Sequence, residues 1–190
     1  MITKKVNKKL LLSETEYAII RELFFYGENV TFSDHVNYYF DTSQQDFHRK
    51  GITCQIRQKN GSLKGTIETY LRDQKDVSTE ESFAVETLPY RFAVSSQTVY
   101  LQGSLYTRRL AVEIMPEIRM MLDQNWYLGN VDFQLEIEYS PIYLAQAEGA
   151  FGAIAHLLQH TVEAKDLLSK SHRFFLRKND LPDETAHQND

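Results

Sequence analysis

The residues best equipped for chemistry in this chain are charged and recur at strand spacing. Glu136-Ile137-Glu138 puts two carboxylates on one face of an extended segment, roughly 7 Å apart by strand rise. Such a pair can hold a hard divalent cation through oxygen ligands, although on an exposed strand it is usually just solvated. The cations Lys9, Arg57, Arg109, Lys170 and Arg173 lie on separate segments. If their faces converge they form an anion cage, in which the planar fork of Arg suits phosphate oxygens. Left apart, they are surface charges or structural ion pairs. A cage with both cations and a carboxylate-held metal is the equipment of polyphosphate chemistry. There the metal bridges phosphates and orients a water, and the cations neutralise developing charge.

Other chemistries are not signalled. The six His residues show no HExxH spacing, and there is no Walker A loop, GxGxxG or GxSxG. Cys54 is the single cysteine, so neither a disulfide nor a Cys-based metal site is expected. It falls on an apolar parity, which reads as core rather than nucleophile. Trp126, Tyr39 or Tyr127 could supply an aromatic platform, but aromatic residues on strands more often pack.

The elements that must position these groups show in the period-2 pattern. Val131, Phe133, Leu135, Ile137 and Tyr139 alternate with Asp132, Gln134, Glu136 and Glu138. The same alternation runs through 52–57 and 63–68, joined by the hairpin signal Asn60-Gly61. It recurs at 109–114 and 118–123 around Met115-Pro116-Glu117, and at 36–41 and 82–86. A first strand over about 4–12 is interrupted by Lys8. Ser13-Glu14-Thr15-Glu16 is a capping box before Tyr17, Ile20, Leu23 and Phe24. Further helices are expected within 89–101 and over 143–160, and 165–177 is ambiguous. The class is α+β with a mainly antiparallel sheet of about eight strands. An open sheet with a solvated polar face satisfies the pattern, and so does a closed barrel with a polar lumen and helices outside. Charges at mid-strand (Arg57, Glu68, Arg109, Asp123, Glu136, Glu138) favour the barrel.

The chain has 190 residues, which suggests one domain over 1–178 and a polar, acidic, disordered tail at 179–190. Hydrophobic residues are 42% and aromatic residues 12%, which excludes a generically disordered chain. The net charge of −5 argues against a nucleic-acid coat, and no nucleic-acid partner is expected. No apolar run reaches the roughly 18 residues of a membrane span. Leu10-Leu11-Leu12 is too short for a signal peptide, so a soluble, cytoplasmic protein is expected. An apolar and aromatic outer face would suit a homodimer.

The ordered set of segments resembles the CYTH family, the triphosphate tunnel metalloenzymes, and in particular its Bacillus-type members. The segments are Asn37-Tyr38-Tyr39-Phe40-Asp41-Thr42, Gln55-Ile56-Arg57 with Lys59-Asn60-Gly61, and 103–109, which ends in Arg108-Arg109. They continue with Leu122-Asp123, Leu135-Glu136-Ile137-Glu138 and Lys170-Ser171-His172-Arg173-Phe174. The resemblance implies an eight-stranded antiparallel β-barrel with helices packed outside, whose tunnel binds triphosphate with Mg²⁺ or Mn²⁺. Family activities include inorganic, thiamine and RNA triphosphatases and adenylate cyclase. The last ranks low, because no adenine-reading motif is present. By resemblance, Glu136, Glu138, Asp123 and a residual Glu68 are metal positions. Lys9, Arg57, Arg109, Lys170 and Arg173 match phosphate-binding positions, with Lys9 and Arg57 as the catalytic pair. Lys5, Asn7, Gln55, Lys64 and Glu86 fall at other tunnel positions.

Departures concentrate at the start. Where the family has Glu-x-Glu-x-Lys, this chain has Lys5-Val6-Asn7-Lys8-Lys9, keeping only the final lysine. Gln55 replaces an Arg, and Glu68 a Lys. The charge changes cancel, which suits a swap in which Lys5 and Glu68 pair across the lumen; decay of an unused site would need no such compensation. Two functions follow. One is a divalent-metal-dependent triphosphatase acting on inorganic or organic triphosphate. The other is a catalytically impaired tunnel that captures polyphosphate without turnover.

Overall fold

A computed structural model describes residues 2–71 and 74–181, with side chains at 7–69 and 79–181. Strand β1 (Ile2–Leu12) leads into helix α1 (Glu14–Phe24), and β2 (Thr31–Asp41) into the single turn α2 (Asp46–Arg49). Seven strands follow: β3 (Ile52–Lys59), β4 (Ser62–Leu71), β5 (Gln74–Ala84), β6 (Arg91–Val94), β7 (Gln97–Met115), β8 (Ile118–Tyr127) and β9 (Asn130–Tyr139). Helices α3 (Leu144–Leu157) and α4 (Lys170–Asp180) complete the order. The α+β class and the antiparallel sheet are as expected.

Local chemistry explains the joints. Asn60 and Gly61 have φ of 51° and 77°, the left-handed pair that a tight hairpin between β3 and β4 requires. Ser13 caps α1, and Glu16 reaches back to the Ser13 amide at 2.7 Å. Ser169 caps α4 by accepting from the His172 amide.

The strand order is β2-β3-β4-β5-β1-β9-β8-β7-β6, with an additional pairing between β2 and β7. That pairing is long, running from Thr31 opposite Ala111 to Asp41 opposite Tyr100. Each strand except β6 therefore pairs along both edges. The alternation sends one parity to each face. Leu10, Leu122, Leu135 and Ile137 pack against Ile20 of α1 and Ala147 and Ile154 of α3. Cys54 and Ile56 pack with Phe40, Phe47 and Val99 in a second cluster, so Cys54 is core as expected. A third cluster joins Tyr39, Leu105 and Tyr127 to Phe174 and Phe175 of α4. Gly103, with φ of 143°, lets the Phe174 ring lie against the β7 backbone. His160 ties α1 to the segment before α4, contacting Glu16 at 2.6 Å and Asp166 at 3.0 Å.

Several expectations are corrected. The described chain has nine strands rather than eight. The helix expected within 89–101 is instead β6 and the start of β7, paired from Arg91 opposite Tyr100 to Val94 opposite Gln97. Phe92 is anchored there by the rings of Phe40 and Phe83, at 5.0 and 5.8 Å. The ambiguous 165–177 stretch splits into a 3₁₀ turn and α4. Helix α4 runs to Asp180, so residues 179 and 180 are helical; 182–190 of the expected tail lie outside the described residues. No described helix is long and apolar enough to cross a membrane.

Gly65 sits on β4 with the Phe83 ring where its Cβ would stand. Gly65→Ala forces that ring off Phe92 and is expected to cost about 1–3 kcal/mol in urea unfolding.

Candidate anion site

The polar parity of the strands meets around one cavity. Asn7 and Lys9 enter it from β1, and Asn37 and Tyr39 from β2. Thr53, Gln55 and Arg57 come from β3, Glu68 from β4, Glu80 from β5 and Arg109 from β7. Gln134, Glu136 and Glu138 come from β9, and the start of α4 brings Ser169, Lys170 and Ser171. Register sets Lys9 opposite Glu136, Asn7 opposite Glu138, and Glu68 opposite Glu80.

Behind the cavity lies Asp123 on β8, fully buried. Arg109 grips it with Nε to Oδ1 and Nη2 to Oδ2, each at 2.7 Å. Lys170 Nζ donates to Oδ2 at 2.6 Å and to Thr107 Oγ1 at 3.3 Å. Arg109 Nη2 also reaches Glu136 Oε2 at 3.0 Å, and Asn7 donates to Glu136 Oε1 at 2.7 Å. Burial alone would raise Asp123, but the Lys170 ammonium and then the Arg109 guanidinium hold it well below the usual carboxylate range. Burial pushes Lys170 down to about 8, with Asp123 opposing the fall and Arg109 adding to it. Glu136, which burial would raise, is held below its ordinary value by Arg109 and Lys9. On β3, Arg57 Nε donates to Asn37 Oδ1 at 2.8 Å.

Of the expected cations, Lys9, Arg57, Arg109 and Lys170 are brought together. Arg173 is not at the cavity; it binds Asp132 at 2.8 Å and the Leu168 carbonyl at 2.7 Å, fixing α4 to β9. Of the expected metal positions, Glu136, Glu138 and Glu68 line the cavity and Asp123 lies behind it. Asn7 and Gln55 line it, while Lys64 is exposed and lies 3.7 Å from Glu80. Glu86 falls beyond the end of β5 and is exposed. The Lys5 side chain, and with it the Lys5–Glu68 pair, lies outside the described residues.

The expected Mg²⁺ or Mn²⁺ positions are partly engaged by this chain's own side chains. Both oxygens of Glu136 and both of Asp123 are taken by side-chain donors of this chain. Among the described residues, no three His, Cys, Asp or Glu side chains gather so as to hold a metal ion. Glu80, Gln134, Asn37 and Thr53 were missed. For Gln134 the alternation was available. Glu80 is followed by Glu81, so neither parity of β5 looks apolar there.

No family model and no curated protein matches this chain. Solved structures do. A candidate adenylate cyclase from Bacillus halodurans aligns with a TM-score of 0.72 at 18% identity, covering 92% of this chain and 98% of that one. A candidate adenylyl cyclase from Hippeastrum, described with a dominant triphosphatase activity, aligns at 0.69 and 15%, covering 94% and 98%. The RNA triphosphatase domain of the mimivirus capping enzyme aligns at 0.55 and 8%, covering 82% and 89%. The chain shares their fold. At these identities the likeness is one of fold alone.

Asp123→Asn strands two cations around a buried neutral amide and is expected to cost about 3–5 kcal/mol in denaturant unfolding. The lowered carboxyl contributes stability that is full above the unfolded value of about 3.9 and is lost as pH falls toward the folded value. The variant should therefore lose less stability than the wild type between about pH 5 and pH 2, as read by unfolding midpoints.

Proposed function

We propose that this chain binds triphosphate, or a short polyphosphate, inside a tunnel. The doubly paired strands are read as the wall of an antiparallel barrel, and the cavity as its lumen. One observation carries the reading: Lys9, Arg57, Arg109 and Lys170, from β1, β3, β7 and α4, line a single polar cavity. A solvated strand face would not collect cations from both ends of the chain around one cavity.

In this reading the four cations divide the work. Arg57 presents its guanidinium edge to phosphate oxygens while Asn37 holds its Nε. Lys9 lies opposite Glu136 on the neighbouring strand and adds a compact charge beside it. Arg109 and Lys170 reach the anion while remaining bound to Asp123, so their positions are fixed before it arrives and little ordering is lost on binding. Glu68, Glu80 and Glu138 repel the anion and confine it to the cationic side of the lumen.

Hydrolysis is the second reading, supported by the triphosphatase activity described for the Hippeastrum neighbour. The engagement of Asp123 and Glu136 by Arg109, Lys170 and Asn7 favours capture without efficient turnover.

Calorimetric titration with inorganic triphosphate tests both readings. Binding is expected in the wild type without added metal. Arg57→Ala and Lys9→Ala are each expected to weaken it by about tenfold or more, the loss of one charge-assisted hydrogen bond. Absence of binding in the wild type would sink the tunnel reading. Phosphate release with Mg²⁺ or Mn²⁺, abolished by Arg57→Ala and Glu136→Ala, would instead establish the triphosphatase.

A further inference from the structure

The cavity has two ends, and the strands around it treat them differently. On β3 the cavity-side parity passes from buried Thr53 and Gln55 to exposed Lys59. On β9 it passes from Gln134, 1% exposed, through partly buried Glu136 to exposed Glu138. Buried Asp123 gives way to exposed Arg119 on β8, and buried Thr107 to exposed Glu113 on β7. Register sets Arg119 opposite both Glu113 and Glu138, so the exposed ends meet. Lys59 belongs with them: partial burial, and then Arg109, Arg119 and Arg57, hold its ammonium below the ordinary value.

Helix α4 covers the buried end. Ser171 Oγ lies 2.7 Å from Thr53 Oγ1 of β3. Lys170 reaches Asp123 of β8 and Thr107 of β7, and Arg173 holds Asp132 of β9. The buried Phe174 ring lies 4.9 Å from that of Tyr39 on β2. One helix thus meets five strands where their cavity-side residues are buried. The exposed end has no such cover among the described residues. There a groove of about 680 Å³, lined by Thr31, Glu113, Arg119 and Tyr139, shares Glu138 with the cavity.

We propose that the cavity is a cup with one mouth, which takes a polyphosphate end-on: a free terminal phosphate enters past Arg119 and Glu138, and whatever follows it stays in the outer groove. The proposal rests on the triphosphate-binding reading and narrows it. The ligand class is a linear chain with a free terminal phosphate. A longer chain cannot run through, because α4 stands across the far end. It can be held only by its ends, with its middle left in solvent. Arg119 stands at the rim, where a charge acts on the rate of encounter more than on the depth of binding.

The test is calorimetric titration of the full chain with inorganic triphosphate and with linear polyphosphates of several defined lengths. The number of protein copies bound per chain should level off at two, one for each end, however long the chain. A number that grows in proportion to length, with triphosphate binding intact, would overturn the one-mouthed cup and leave the anion site standing. No binding of triphosphate in the wild type would overturn both. Stopped-flow association locates the mouth. Arg119→Glu should slow triphosphate entry by about tenfold at low salt. Lys165→Glu, an exposed position on the 3₁₀ turn before α4, should leave the rate unchanged. Slowing by Lys165→Glu as large as by Arg119→Glu would overturn the proposal.

Discussion

Asp123 is a carboxylate with no access to water, and it survives only because Arg109 and Lys170 meet both of its oxygens. A buried charge without such partners is too costly to persist. The demand falls on distant parts of the chain. Arg109 comes from the neighbouring strand, in direct register with Asp123. Lys170 comes from α4 and must be carried in from outside the sheet. Arg173 binding Asp132 and Phe174 lying on Gly103 hold that helix at the depth Lys170 needs. The hydrophobic contacts of α4 and the ion cluster thus depend on each other.

The same cluster sets what the cavity can offer. Arg109 and Lys170 are positioned by carboxylates and keep their positive charge, so an anion meets a rigid set of donors. Asn7 completes the arrangement by satisfying the second oxygen of Glu136. A carboxylate at position 7 would face Glu136 and Glu138 with charge instead of a donor.

Much of this was legible beforehand, for identifiable reasons. Strand β9 alternates without a break, so its cavity-facing residues could be named from parity alone. Lys9, Arg57 and Arg109 stood out because each lies on a polar parity, whereas Lys170, in a stretch whose structure was ambiguous, was marked by the resemblance. What failed was local. Arg91 to Val94 has no turn signal that distinguishes a short strand from a helix, and its strand form depends on the Phe40 and Phe83 rings, which are far away in sequence. Arg173 and Lys170 look alike in the sequence; that one turns toward Asp132 and the other toward Asp123 is decided by helix phase and depth.

Helix α4 follows all nine strands in the chain, yet it carries a cation into their midst. During synthesis, β7, β8 and β9 are complete before Lys170 exists, and Asp123 then has only Arg109 to balance it. The sheet is also late to assemble, because β1 must wait for β9 to fill its second edge. Pairings so distant in sequence form slowly. A nascent chain therefore lacks the Lys170 partner of Asp123 until α4 has been made. The ion cluster behind the cavity is thus complete only when both ends of the sheet and α4 have come together.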